Sequence, residues 1–236
     1  EDRAVINRNG FNNDGLAVIK NRIKYFRKNN NSPKVKLGIN IGPNKDSSDR
    51  IKDYIKLINE FATYADYLAI NISSPNTPNL RKLQSDRNLK NLIVSIKKEI
   101  KKLDNCPPVL IKISPDLSEG ELNKIIKETV KHKLDGLIIS NTTVKRNVKS
   151  KYKNETGGLS GAPLFEESTK LLIKARKVLN DYGSSISIIA AGGVNDGKSA
   201  YTKILCGADL VQLYTGMVYE GPFVVKNILD QLDGFR

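Results

Sequence analysis

Six apolar runs in this 236-residue chain end in small, amide, hydroxyl or cationic residues. The ends read Asn40-Ile41-Gly42, Asn71-Ile72-Ser73-Ser74, Lys112-Ile113-Ser114, Ser140-Asn141-Thr142-Thr143, Ala191-Gly192-Gly193 and Tyr214-Thr215-Gly216. Side-chain amides carry donors and acceptors without charge, which suits a flat heterocycle with alternating N–H and C=O edges. Paired glycines let backbone N–H groups approach phosphate oxygens, and Gly157-Gly158-Leu159-Ser160-Gly161 can add further donors. Lys112 is the sole cation at such an end; it could stabilise negative charge on a reduced ring, or simply be solvated. No end supplies a paired carboxylate, a histidine or a cysteine, which disfavours carboxylate hydrolysis and a bound metal. Ser74 is the best placed hydroxyl for proton transfer, although no histidine stands beside it.

The richest of these ends is Asn71-Ile72-Ser73-Ser74-Pro75-Asn76-Thr77-Pro78. It follows the apolar run Tyr67-Leu68-Ala69-Ile70, and its prolines and hydroxyls stop a strand without starting a helix. Taken alone it is a strand-ending turn. Taken with five similar ends on one edge, it is part of a polar rim around a small ligand.

The elements that must position these ends alternate along the chain. Strands are expected over Val35 to Ile41, Leu68 to Ile72, Val109 to Ile113, Leu134 to Ser140, Ile186 to Ala191 and Ala208 to Tyr214. Each is followed by a segment with apolar residues at helical spacing, such as Tyr54, Ile58 and Phe61, or Leu122, Ile125 and Ile126. A leading helix carries Leu16, Ile19, Ile23 and Phe26, with Asp14 as its expected cap, and the last carries Val224, Val225, Ile228, Leu229 and Leu232. Strict alternation argues for a parallel sheet with every carboxyl end on one edge, where such proteins bind ligands. A (β/α)8 barrel with about six of its eight units present fits this order, and so does a six-stranded open sheet.

Composition describes an ordinary α/β chain, with 39% hydrophobic and 27% charged residues and no apolar run long enough to span a bilayer. Cys106 and Cys206 fit no metal spacing, and a single histidine, His132, makes a His-based triad improbable. The net charge of +14 is extreme. Its lysines lie in helical stretches such as Lys97-Lys98-Glu99-Ile100-Lys101-Lys102, which favours solvated helix faces over a nucleic-acid site. Anionic lipid or an anionic substrate stays compatible with that charge. The sequence starts at Glu1 with no signal-peptide pattern, from which a processed or trimmed amino end is expected.

Asn7-Arg8-Asn9-Gly10-Phe11-Asn12-Asn13, Gly38-Ile39-Asn40-Ile41-Gly42, Asn71 to Pro78, Ser140-Asn141-Thr142-Thr143, Gly157 to Gly161 and Gln212-Leu213-Tyr214-Thr215-Gly216, in that order, resemble the dihydroorotate dehydrogenases. The likeness runs from the first residues to about Lys226. It implies an FMN-dependent (β/α)8 barrel that oxidises dihydroorotate to orotate in pyrimidine biosynthesis. By the same resemblance Ser74 would be the base at C5 of the substrate. Asn7, Arg8, Asn9, Gly10, Phe11, Asn71, Asn76, Asn141 and Thr142 would hold the pyrimidine. Asn40, Asn71, Lys112 and Ser140 would contact the flavin ring or ribityl chain, and backbone groups at Gly161, Gly193, Tyr214 and Thr215 its phosphate. A serine rather than a cysteine at the base position is similar to class 2, the membrane-associated enzymes that reduce a quinone.

That class also has an amino-terminal amphipathic segment that docks on the membrane, followed by two barrel strands with a lysine at the substrate, and neither is found in residues 1–236. The expectation is therefore one FMN-binding barrel domain over 1–236, a carboxyl-terminal portion of the enzyme, whose own turnover is open. Peripheral attachment would be to the cytoplasmic face of a bacterial inner membrane, or to the mitochondrial inner membrane in a eukaryote, with no nucleic-acid partner. The competing readings are a non-redox phosphate-binding barrel enzyme, which would need a carboxylate pair or a Schiff-base lysine, and a basic binding protein without catalysis. The second explains the charge but not the amide-rich strand ends.

Overall fold

The computed structural model describes residues 2–29, 35–149 and 151–235. Six strands form one parallel sheet: β2 (Gly38–Ile41), β3 (Tyr67–Asn71), β4 (Val109–Ile113), β5 (Gly136–Ile139), β7 (Ser187–Ala191) and β8 (Leu210–Gln212), in the order β2-β3-β4-β5-β7-β8. The remaining two, β1 (Ala4–Asn7) and β6 (Gly158–Gly161), pair antiparallel with each other.

Alternation along the strands explains why both faces are apolar. On one face Leu68, Ile70, Ile111, Ile113, Leu137, Ile139 and Ile188 pack against the helices in the main core. On the other, Ala69, Leu110, Ile138 and Ile189 form a second cluster with Tyr67. That second face is concave: Gln212 Nε2 on β8 donates to Tyr67 Oη on β3 at 3.0 Å, across the interior of a curled sheet. The strands continue the same parity upward. Two residues beyond the inner cluster stand Asn71, Lys112, Ser140 and Ala191, so the inner face turns from apolar to polar at its carboxyl edge. Pairing of Asn71 with Lys112, and of Ala191 with Gln212, sets these side by side.

Helices wrap the outer face: α1 (Leu16–Asn29), α2 (Arg50–Phe61), α3 (Asp86–Ile100), α4 (Glu119–Lys131), α5 (Phe165–Asp181), α6 (Gly197–Leu205), α7 (Thr215–Glu220) and α8 (Val224–Asp233). Their starts are chemically marked. Asp49 caps α2 by accepting the Lys52 amide, and Ser118 with Glu121 and Asp196 with Ser199 form capping boxes on α4 and α6. The expected cap Asp14 instead pairs with Arg22 at 2.6 Å, while Asn13 Oδ1 accepts the Gly15 amide. The last helix expected from sequence is α8, with only Val224 and Ile228 of its apolar residues buried, and the short α7 before it, ending at Gly221-Pro222, was not expected.

The amino edge of the sheet carries a repeated device. Asp66, Asp135 and Asp209 each stand immediately before a strand, β3, β5 and β8 respectively. Each gives its backbone N–H to a carbonyl of the preceding strand segment (Leu37, Val109 and Ile188) and takes that same residue's N–H on its carboxylate, at 2.7, 2.8 and 2.7 Å. Arg27 and Arg176 pair with the first and third of these aspartates.

Candidate functional site

Two adjoining cavities open at the carboxyl edge, and Asn7, Asn141 and Thr142 line both. The larger, about 410 Å³, has Lys112, Ser140, Gly161, Gly193, Tyr214 and Thr215 in its wall. The smaller, about 160 Å³, is formed by Asn9, Phe11, Asn40, Asn71, Ser74, Pro75 and Asn76 with the three shared residues. No carboxylate lines the larger cavity, whose charged groups are Arg3 and Lys112. The smaller has no charged side chain at all.

Burial pushes the Lys112 amine below the ordinary lysine range, and among the described residues no carboxylate pairs with it. An unpaired buried ammonium is costly unless an anion arrives to meet it. The glycines of the larger cavity are equally restrictive. Gly193 has φ 76° and Gly161 φ 96°; a Cβ would meet Phe165 at 2.4 Å in the first and the Arg3 carbonyl at 2.2 Å in the second. Backbone packed this closely leaves amide dipoles, and no side chain, facing the cavity.

The smaller cavity is built from interlocked amides. Asn71 Oδ1 accepts from the Ser73 amide, the Ser73 hydroxyl and Asn141 Nδ2 at 3.2, 3.0 and 3.1 Å, which leaves its NH2 as the group to offer. Buried Tyr54 holds the Asn71 carbonyl at 2.7 Å from below. Asn76 Nδ2 reaches Asn7 O, Asn7 Oδ1 and Asn9 O at 3.0, 2.9 and 3.1 Å, so the amino-terminal strap is tied across the cavity. The antiparallel pairing of β1 with β6 brings that strap in from the far side. Phe11 lies against Gly42, where a Cβ would stand 2.5 Å from its ring. Ser74, 7% exposed, accepts the Asn76 amide at 3.3 Å; its own hydrogen is committed to no described residue.

Of the residues expected at the site, Arg8 and Gly10 line neither cavity. Arg8 forms an ion pair with Glu155 beside a separate groove, and Gly10 lies against the Asn76 carbonyl. Asn40, expected with the flavin contacts, lines the smaller cavity. Three features escaped the sequence reading. Arg81 ties the loops around both cavities together. Thr77 Oγ1 is buried and unpartnered among the described residues. Lys203, fully buried on α6, donates to Ser168 and Thr169 at 2.7 Å each, at the start of α5. Burial lowers the Lys203 amine to about 7.

Among the described residues no cluster of His, Cys, Asp or Glu could hold a metal, and no helix is long and apolar enough to cross a membrane. A family model described as dihydroorotate dehydrogenase matches residues 1–235. The dihydroorotate dehydrogenase (quinone) of Bartonella tribocorum is 48% identical over 98% of this chain and 64% of its own length. That of Mesorhizobium japonicum is 48% identical over 97% and 62%. The crystal structure of DHODH from Eimeria tenella in complex with ferulenol superposes with a TM-score of 0.92 at 38% identity, over 98% of this chain and 67% of that one. The six-stranded curled sheet thus corresponds to the greater part of a (β/α)8 barrel, and the chain spans a little under two thirds of the curated relatives it matches. With a family model covering nearly every residue and relatives close to half identical, this chain belongs to the dihydroorotate dehydrogenase family.

Proposed function

We propose that this protein oxidises dihydroorotate to orotate, a step of pyrimidine biosynthesis, with FMN as hydride acceptor and a quinone as final electron acceptor. The observation that carries the reading is the division of the site: a cationic, carboxylate-free cavity adjoins a neutral, amide-lined one, and they share a wall of Asn7, Asn141 and Thr142. Membership of the family supports the reaction, and the relatives named above are quinone enzymes. The described residues act in this reading as one barrel domain.

The larger cavity suits FMN. Backbone groups at Gly161, Gly193, Tyr214 and Thr215 would hold its phosphate, Lys112 and Ser140 its ring and ribityl chain, and Asn71 would meet the ring from the adjoining smaller cavity. Bound there, the flavin supplies a two-electron acceptor. Lys112 would offer its ammonium to the negative charge that reduction adds, and that charge would offset the cost of burying it. The smaller cavity holds the pyrimidine by neutral hydrogen bonds from Asn7, Asn71, Asn76 and Asn141, with Phe11 over Gly42 excluding water on one side. Ser74 takes the proton from C5. Quinones dissolve in lipid, so the protein would work at a membrane surface, attached peripherally, and its +14 charge suits anionic headgroups. That surface is the cytoplasmic face of a bacterial inner membrane, or the mitochondrial inner membrane in a eukaryote.

Anaerobic mixing of the FMN-loaded protein with dihydroorotate tests this directly. Bleaching of the flavin absorbance is expected, and Ser74→Ala should slow it by about 100-fold or more with FMN retained. Failure of dihydroorotate to bleach the flavin would sink the reading, and bleaching undiminished in Ser74→Ala would remove that residue as base.

A further inference from the structure

The geometry points to Arg81 as the positioning residue that sets Ser74 against the opposite wall of the smaller cavity, an inference that rests on the reaction proposed above. Arg81 lies on the 3-10 turn Leu80–Gln84, anchored by buried Leu80 and Leu83. Its guanidinium points three ways: Nε donates to the Ser73 carbonyl at 3.0 Å, Nη2 to the Thr142 carbonyl at 2.9 Å, and Nη1 to Asp116 Oδ2 at 2.8 Å. These acceptors lie on the loops after β3, β5 and β4, in that order.

Each tie falls beside a working residue. Ser73 immediately precedes Ser74, and Thr142 lines both cavities. Asp116 extends the grip by accepting from the Thr143 hydroxyl and from the Val144 amide, at 3.0 Å in the latter. The same turn holds the third loop a second time, through the Ser114 amide on Gln84 Oε1 at 2.9 Å. Arg81 and Asp116 side chains are 24% and 14% exposed, so the pair is shielded enough for its bonds to be well directed. The guanidinium presents its donors in a rigid plane, so it fixes the directions of its three acceptors, whereas an ammonium on a flexible stem does not. Arg81 touches neither cavity, so its effect on chemistry passes through the backbone it holds.

The test is Arg81→Lys in the FMN-loaded protein, with flavin reduction followed by stopped flow using dihydroorotate protiated or deuterated at C5. We expect reduction to slow by about 10- to 100-fold, FMN content to stay unchanged, and the C5 isotope effect to grow because proton removal has become harder. Reduction within about twofold of the parent, or a slowing with an unchanged isotope effect, would overturn the assignment. Should Arg81→Lys fail to fold, Asp116→Asn carries the same comparison under the same criteria. Ser74→Ala run alongside separates the two ideas. If it reduces flavin as fast as the parent, the reaction assigned to Ser74 fails; if it is slow while Arg81→Lys is not, only the role of Arg81 fails.

Discussion

Lys112 is a burden to the ligand-free fold, and in the proposed reading it would be an asset once FMN is bound. Burial holds its amine below the ordinary value of 10.5, so the fold favours the neutral form and the ammonium is bound at a cost. The sign follows: the unfolded chain keeps this proton to higher pH than the folded one, so ligand-free stability rises with pH from the folded value toward 10.5. Lys112→Met should therefore raise the melting temperature of the flavin-free protein at pH 7 and flatten that rise. The same variant should weaken FMN by about 10-fold or more, because a charged hydrogen bond is lost. Thermal melts and flavin fluorescence titration read the two effects separately, and a variant that loses stability while keeping FMN affinity would contradict both.

At the scale of elements, the site is a matter of which segments are tied to which. Lys203 ties α6 to the first turn of α5, where Ser168 also reaches the Gly192 carbonyl behind the glycine turn of the larger cavity. Its amine, also over the Phe165 ring at 4.7 Å, has no carboxylate partner among the described residues. With a folded value of about 7 against 10.5, stability should increase between those pH values, and Lys203→Met should remove much of the increase in a series of melts from pH 6 to 10. A parent curve flat over that range would contradict it.

Elements differ in how openly the sequence declared them. Uninterrupted runs such as Leu110-Ile111 and Leu137-Ile138-Ile139 identified the parallel strands, because a strand buried on both faces needs no partner pattern to be recognised. The β1–β6 pair was hidden, since Gly158-Leu159-Ser160-Gly161 reads as a loop until Ala4 to Asn7, far away in sequence, supply its ladder. Arg81 was hidden for a related reason: an arginine in a polar loop reads as solvated, and its three acceptors are backbone carbonyls and an acid on other loops. Asn40 and Asn71 were legible because parity places them on the inner face, whereas Asn141, one residue past inward Ser140, is brought in by its loop. Which of their atoms is already spent, as with Asn71 Oδ1, only the structure gives.

At the scale of the whole molecule, the two edges of the sheet differ in the groups they present. Cations and amides meet the cavities at the carboxyl edge, while Asp66, Asp135 and Asp209 stand at the amino edge with Arg27 and Arg176. The Leu37 amide, and after it Arg27, holds the Asp66 carboxyl below its usual 3.8. A lowered carboxyl contributes stability above 3.8 that is lost as pH falls through the folded value. Asp66→Asn should accordingly lower the urea midpoint at pH 7 and give a shallower decline below pH 4 than the parent; equal midpoints at both pH values would deny the aspartate this role.

The three aspartates at that edge bear on something further than stability. Each grips both the N–H and the C=O of one residue on the strand before it, and such a grip admits a single alignment of the two chains. A parallel strand displaced by one residue would turn its inward side chains outward, carrying Asn71 or Lys112 out of the cavities altogether. The edge away from the cavities thus keeps the cavity edge in phase. Anyone transplanting new residues onto these strand tips should expect the geometry to survive only while Asp66, Asp135 and Asp209 stay in place.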